Sequence, residues 1–265
     1  MVDRIWLDIY PQGVSSEIDF GDYESVLDVF DSACKKYADR PAFHNMGVTI
    51  TYGELDKLSA DFAAYLQNHT DLKPGDRIAV QMPNLIQYPI VTFGAMRAGL
   101  IVVNTNPMYT TREMEHQFND AGCKALVVLA NFGDAVADVL PKTGIKHVII
   151  TQVADMQPMI KRVLMNFVIK HIKKMVPDFK IKGAVSFTKA MSLGGSATYK
   201  EDANPSLDDV AVLQYTGGTT GVAKGAMRIC CKWIFPCVRC GRVRKSLSRR
   251  YRFTIFFPSL LIVWD

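Results

Sequence analysis

The chain has 265 residues, of which 49% are apolar and 22% charged. This composition excludes a disordered or fibrous protein, and the length allows one large domain or two small ones. The formal net charge is +5, but the last 38 residues hold nine Lys or Arg against a single acidic residue. The first 227 residues hold 22 basic and 25 acidic side chains, a mildly acidic balance that is ordinary for an enzyme.

Cysteine follows the same division. Cys34 and Cys123 stand singly in the body of the chain, which fits a reducing compartment, and the other four lie in the tail. The first ten residues carry Asp3, Arg4 and Asp8 among apolar side chains and do not resemble a signal peptide. We therefore expect a cytoplasmic protein.

The first predicted elements are two helices. Residues 25–38 place apolar side chains at helical spacing. Residues 49–52 form a short extended run, after which Thr51 and Glu54 have the spacing of a capping box for a helix through about residue 67. The predicted buried face of this helix consists of Leu55, Leu58, Phe62 and Leu66.

Strands of about five apolar residues then alternate with helices. The predicted order is strand 77–82, helix 85–98, strand 100–104, a helix capped by Thr110 and Glu113, strand 124–130, a short helix and strand 147–151. This alternation favours a mainly parallel sheet covered by helices on both faces, so the predicted fold class is α/β.

Residues 156–176 differ because they contain six Lys, Arg or His residues and no acid. Their apolar side chains share one broad helical face, made of Ile160, Val163, Leu164, Phe167, Val168, Ile172 and Met175. One interpretation is a helix that lies on an anionic membrane surface; the other, which is far commoner among amphipathic helices, is a surface helix packed on the sheet. Residues 253–264 are too short to span a membrane and contain Pro258.

A short apolar strand, residues 210–215, leads into the segment TGGTTGVAKG of residues 216–225. Its glycines let backbone N–H groups approach an anion, its threonines add hydroxyl donors, and Lys224 adds a positive charge. The spacing differs from the Walker A and Rossmann motifs. A flexible interdomain linker is the alternative, which the apolar strand directly before the segment disfavours.

The twelve residues YTGGTTGVAKGA, 215–226, resemble the phosphate-loop signature of the acyl-adenylate-forming enzymes. Upstream segments in the same order are similar to the opening of bacterial long-chain acyl-CoA synthetases. These are residues 37–43 (YADRPAF), 51–55 (TYGEL), 73–80 (KPGDRIAV), 82–89 (MPNLIQYP), 94–107 (GAMRAGLIVVNTNP) and 109–122 (YTTREMEHQFNDAG).

The resemblance implies part of the large N-terminal domain of this family and the reaction of a long-chain fatty-acid:CoA ligase. A fatty acid, ATP and CoA give acyl-CoA, AMP and pyrophosphate through an acyl-adenylate, usually with Mg²⁺. It also implies a nucleotide-binding site in which Tyr215 delivers the loop from the sheet and the β- and γ-phosphates are held by Thr216, Gly217, Gly218, Thr219, Thr220, Gly221 and Lys224.

The likeness stops after Met227, so we predict a partial adenylation domain over 1–227 and an unrelated basic, Cys-rich tail over 228–265. The tail holds none of the later family motifs, and the family's catalytic residues are therefore not identified in this chain. We expect the 265-residue polypeptide to be inactive. A changed reading frame after codon 227 is one hypothesis for the abrupt change.

The sequence gives less support to two other functions, zinc binding and binding through the basic tail. Cys237 and Cys240 have the spacing of zinc ligands, but the adjacent Cys230 and Cys231 suit a closed tetrahedral site poorly, so no metal is expected there. A non-catalytic protein whose tail binds nucleic acid or anionic membrane is the alternative function. The basic run 239–252 predicts only non-specific binding of that kind.

Overall fold

The computed structural model describes residues 23–201, 205–216 and 224–229. In these ranges a two-stranded hairpin, β1-β2, precedes a seven-stranded sheet of order β7-β6-β5-β3-β4-β8-β9. The strands are β1 (Pro41–Asn45), β2 (Val48–Thr51), β3 (Arg77–Gln81), β4 (Ile101–Asn104), β5 (Cys123–Leu129), β6 (His147–Thr151), β7 (Val185–Ser186), β8 (Val210–Thr216) and β9 (Lys224–Ile229). The α-helices are α1 (Val26–Lys36), α2 (Tyr52–His69), α3 (Gln87–Arg97), α4 (Thr111–Asp120), α5 (Gly133–Val139), α6 (Met159–Phe167) and α7 (Phe187–Gly195).

The predicted α/β class is confirmed. Strands β3 to β8 pair in parallel, and β9 joins β8 antiparallel. One apolar core fills the face covered by α1, α2, α3 and α7, and a second lies under α4 and α5. Both faces of the central strands are buried because these strands are almost wholly apolar.

Two helices begin where the sequence predicted. At α2, the backbone N–H of Thr51 donates to Glu54 Oε2 at 2.8 Å, and the N–H of Glu54 donates back to Thr51 Oγ1 at 3.1 Å. At α4, Thr110 and Glu113 make the same pair of bonds at 2.8 and 3.4 Å. Each box satisfies two backbone donors that the first turn leaves without helical partners.

Arg97, at the end of α3, connects three helices through its side chain. It is 7% exposed, donates to Asp31 of α1 at 2.6 Å and pairs with Asp56 of α2. Its guanidinium lies 5.1 Å from the ring centroid of Phe30. These contacts fix the packing of α1, α2 and α3 on one face of the sheet.

The helix within residues 156–176 does not follow the commoner interpretation, that of a surface helix whose apolar face packs on the sheet. After Met159–Phe167 the chain continues through a π-helical turn, Val168–Ile172. The apolar side chains Met159, Ile160, Val163, Leu164, Phe167, Ile172 and Met175 are 55–80% exposed, so they do not pack on the sheet. Arg162 and Asn166, together with part of Val163, line a cavity of ≈ 620 Å³ on the protein side of the helix.

Four described strands and helices were not predicted: β1, β7, α7 and β9. The predicted tail from residue 230 onward, with its cysteines and basic run, lies outside the described residues. Among the residues with described structure, no helix combines the length and apolarity needed to cross a bilayer.

Candidate phosphate-binding site

The predicted phosphate segment begins at the carboxyl end of β8. This strand lies between β4 and β9, and Asn104 at the end of β4 is in register with Gln214 of β8. The connection after β3 passes through α3 on one face of the sheet, and the connection after β4 passes through α4 on the other. In open α/β sheets, ligands bind at the carboxyl ends of strands where neighbouring connections diverge in this way.

Strands β8 and β9 hold the two ends of the segment together. Thr216 pairs with Lys224, and Tyr215 pairs with Gly225 one step further from the loop. The loop is therefore shorter than the predicted 216–225, because its first residue and its last two lie in paired strands. The seven residues between the paired ends belong outside the described part of the chain, and they include Gly217, Gly218, Thr219, Thr220 and Gly221.

Of the eight predicted site residues, the structure brings together Tyr215, Thr216 and Lys224. Lys224 is exposed, which suits a side chain that meets a ligand from solvent. Tyr215 is 6% exposed, and its O–H donates to Asp120 Oδ2 at 2.5 Å. Burial and this hydrogen bond raise the pKa of Tyr215 above its ordinary value, so the phenol remains neutral and acts as a donor.

A chain of polar side chains supports the opposite face of β8. The O–H of Tyr88 donates to Asn104 Oδ1 at 2.6 Å, and Asn104 Nδ2 donates to Gln214 Oε1 at 3.0 Å. The backbone carbonyl of Asn104 accepts from Gln117 Nε2 at 2.9 Å. These bonds join β8 to β4, α3 and α4 at the edge where the loop begins.

Sequence reasoning missed these supporting residues, although one signal was present. Asn104 and Gln214 are polar residues near the ends of apolar strands, in LIVVN and VAVLQY. A polar side chain at the carboxyl end of a buried parallel strand lies at the usual ligand-binding edge of the sheet. Their pairing depends on strand order, which the local pattern does not reveal.

The arrangement suits an anion. Exposed Lys224 lies at the end of a Gly- and Thr-rich segment, so a positive charge adjoins residues that supply backbone N–H and hydroxyl donors. The family model for AMP-binding enzymes matches residues 30–257. The chain belongs to this AMP-binding enzyme family.

Curated members of the AMP-binding family resemble the chain closely. It is 49% identical over 228 residues to a long-chain-fatty-acid–CoA ligase of Haemophilus influenzae, and 48% identical over 227 residues to the ligase of the same name in Yersinia pestis. Each alignment covers 85% of this chain and 40% of the relative. The chain thus spans about 40% of the length of these relatives.

Solved structures of AMP-binding enzymes share the fold. An anthranilate CoA ligase in complex with anthranoyl-AMP matches with a TM-score of 0.66 at 16% identity, over 82% of this chain and 37% of that one. A long-chain-fatty-acid-CoA ligase of Archaeoglobus fulgidus matches with a TM-score of 0.59 at 23% identity, over 86% and 43%. Identities this low establish the fold and no more.

The family match has two consequences for the predictions. The comparisons give no support to a non-catalytic protein that binds through a basic tail, since the curated relatives are ligases. The family model extends to residue 257, and β9 runs from Lys224 to Ile229. The domain boundary after Met227 stays a prediction.

Proposed function

We propose that this chain provides the nucleotide-phosphate-binding part of a long-chain fatty-acid:CoA ligase. The observation that carries the proposal is the placement of Thr216 and Lys224 as paired strand ends at the carboxyl edge of a parallel sheet. The identity of 47–49% to curated long-chain ligases supports the substrate class. Of the eight predicted residues, the seven from Thr216 to Lys224 would hold the β- and γ-phosphates of ATP, and Tyr215 would deliver the loop from the sheet.

The chemistry explains why such a loop is needed. A carboxylate is a poor acyl donor because its leaving group would be oxide. In the proposed reaction a carboxylate oxygen of the fatty acid attacks the α-phosphorus. The bond between the α-phosphorus and the oxygen that bridges it to the β-phosphorus breaks. Pyrophosphate leaves, and the Lys224 ammonium would stabilise its developing negative charge. The CoA thiol then displaces AMP from the acyl-adenylate.

Mg²⁺ is proposed as part of the bound nucleotide. The described residues contain no group of three or more His, Cys, Asp or Glu side chains that would hold a metal ion. Mg²⁺ prefers phosphate oxygens and water to a cage of protein ligands, so it would enter bound to ATP. Its charge would then add to that of Lys224 at the departing phosphates.

Binding of Mg·ATP to the purified chain tests the loop. Lys224→Gln should weaken binding roughly ten- to hundredfold, because a charge-assisted hydrogen bond contributes about 1.5–3 kcal/mol. Lys182→Gln is the matched control, since Lys182 is also exposed but lies outside the site. Isothermal titration calorimetry measures both, and equal affinities for wild type and Lys224→Gln would refute the assigned role.

Turnover is a separate measurement. The 265 residues do not include the later motifs that the family resemblance implies. We therefore expect this polypeptide by itself to release no pyrophosphate and to form no acyl-CoA from palmitate or oleate. Appreciable release of either product by homogeneous protein would contradict the prediction of inactivity and leave the phosphate-binding proposal intact.

A second proposal concerns the exposed apolar face of α6 and the π-helical turn. We propose that it rests on an anionic membrane surface, as one reading of residues 156–176 predicted. Six apolar side chains of residues 159–172, and Met175 after them, are 55–80% exposed, and residues 156–176 carry six basic side chains and no acidic one. An apolar face flanked by cations matches the acyl chains and anionic headgroups of a lipid interface.

Vesicle binding tests this surface. Leu164→Gln combined with Phe167→Gln should reduce co-sedimentation with phosphatidylglycerol vesicles at least tenfold, because each buried apolar side chain contributes about 1.5–3 kcal/mol. Met108→Gln is the control, since Met108 is 79% exposed and lies far from α6 in the sequence. Undiminished binding of the double variant would refute the proposal, and a change in oligomeric state would assign the face to contacts between copies.

The cytoplasmic location, peripheral at the inner face of the membrane, remains part of the proposal. Cys34 and Cys123 are buried free thiols, which is compatible with a reducing compartment. No specific nucleic-acid partner is proposed.

A further inference from the structure

Tyr215 occupies the last position before Thr216 and connects β8 to the helix beneath it. Its ring belongs to the core on the α4 and α5 face of the sheet. The O–H group reaches Asp120, the final residue of α4, at 2.5 Å. A short bond to a carboxylate is among the stronger hydrogen bonds in proteins, so it fixes the phenol at one end.

The same ring also lies over Gly225 on the neighbouring strand. Gly225 is the antiparallel partner of Tyr215. A Cβ atom at position 225 would lie 2.9 Å from the Tyr215 ring carbons Cε2 and Cζ and 3.1 Å from its hydroxyl oxygen. Any side chain at 225 would therefore push the ring or β9 aside, whereas an aromatic ring that covers a glycine across a sheet stabilises the pair.

This contact controls where Lys224 points. Side chains alternate between the faces of a strand, so Lys224 and the Tyr215 ring lie on opposite faces of the sheet. A slip of β9 by one residue would move Lys224 to the wrong face, and a smaller displacement would change its distance from Thr216. The ring of Tyr215 packs against β9, the strand whose register determines the position of Lys224.

We propose that Tyr215 is the positioning residue of the phosphate loop: held by Asp120 and laid over Gly225, it fixes the separation and register of the two loop ends. This rests on the proposed function, in which the loop binds nucleotide phosphates. Tyr215 acts through the backbone of β8 and β9 and needs no contact with the ligand.

The polar chain on the opposite face has a different role. Gln214 accepts a hydrogen bond from Asn104, and this bond joins β8 to β4. It does not involve β9, whose position depends on other contacts. In the described residues β9 is the last strand of the sheet, so it has one neighbour, β8. A strand with a single neighbour loses register more easily than a central one, and a cross-strand aromatic contact counters that.

Two variants remove the two halves of the contact. Tyr215→Phe keeps the ring and loses the bond to Asp120, and we expect it to weaken Mg·ATP binding roughly tenfold. Gly225→Ala keeps the bond and displaces the ring, and we expect a larger loss. Tyr65→Phe and Gly144→Ala are the matched controls, because Tyr65 is 4% exposed within the core and a Cβ at 144 would meet nothing closer than 3.9 Å.

Conservative replacement separates positioning from simple burial. Asp120→Asn retains an acceptor for the Tyr215 hydroxyl and should bind Mg·ATP within about threefold of wild type. Asp120→Leu removes the acceptor and should resemble Tyr215→Phe. Hydrogen exchange of residues 210–229 without ligand is the second measurement, and we expect faster exchange there in Tyr215→Phe and Gly225→Ala.

The outcomes are distinct. Unchanged exchange and unchanged affinity in Tyr215→Phe and Gly225→Ala overturn the proposal. A uniform rise in exchange across the whole chain also overturns it, since Tyr215 would then be an ordinary core residue. Faster exchange confined to residues 210–229 supports the proposal. If the wild-type protein does not bind Mg·ATP but the variants still show this local rise in exchange, the proposed function fails and the positioning of the loop ends by Tyr215 stands.

Discussion

The crossing of α7 over α2 depends on Gly194. A Cβ atom at this position would lie 1.8 Å from the carbonyl oxygen of Asp61, where real Cβ atoms approach no closer than 3.0 Å. The obstacle is the backbone of α2, so α7 must move by more than an ångström. Overpacking of this kind costs about 1–3 kcal/mol, and a backbone obstacle favours the upper end. Alanine gains at most about 1 kcal/mol in helix propensity, which leaves Gly194→Ala about 2 kcal/mol less stable.

The adjacent Gly195 provides the control. A Cβ there would lie 3.6 Å from Asp61 Oδ2, an ordinary contact, so Gly195→Ala should change stability by less than about 0.5 kcal/mol. Urea unfolding followed by far-UV circular dichroism measures both variants. With a slope of about 2–3 kcal/mol per molar urea, the midpoint of Gly194→Ala should fall by about 0.7–1 M. Equal midpoints for the two variants would refute the close packing of α7 on α2.

Three further predictions concern stability and thiol chemistry. Arg97→Met should lower the free energy of unfolding, measured in urea, by about 2 kcal/mol, because Asp31 and Asp56 lose their ion-pair partner. Both carboxylates are partly exposed, so water offsets part of that loss. The bonds from Thr110 lower the pKa of Glu113 below its ordinary 4.5, so the stabilisation is present above that value and lost as the pH falls through the folded pKa. Glu113→Ala should therefore be less stable than wild type near neutral pH, and the difference measured in urea should vanish in acid. Burial raises the pKa values of Cys34 and Cys123 to about 12, so mass spectrometry should find both unmodified by iodoacetamide at about pH 8 until urea unfolds the chain.

Elements whose signals are local were predictable from sequence. The pairs Thr51–Glu54 and Thr110–Glu113 marked the starts of α2 and α4, and both capping boxes form. Short apolar runs marked β3 to β6, and the strand 147–151 was predicted with its observed bounds. Such signals depend on residues three or four apart, so they act before tertiary packing does.

Elements that depend on distant partners were not predictable. The segment KGAMRI of β9 contains glycine and two basic residues, which have low strand propensity, and it is extended because β8 lies beside it. Strand β7 has two residues, too few for a periodic pattern. The amphipathic pattern of α6 was recognised, but periodicity gives the width of an apolar face and says nothing about which side of the helix the protein occupies.

The candidate site combines both kinds of information. A motif of consecutive residues supplies the ligand groups, and for that reason the site was found from sequence. Its geometry comes from Asn104, 110 residues before Gln214, and from Asp120, 95 residues before Tyr215. Because closing such long stretches of chain costs conformational entropy that only the folded sheet offsets, the loop ends are held in place only when β4, α4 and β8 are assembled. Phosphate affinity should therefore follow the integrity of this part of the sheet more closely than the presence of the motif.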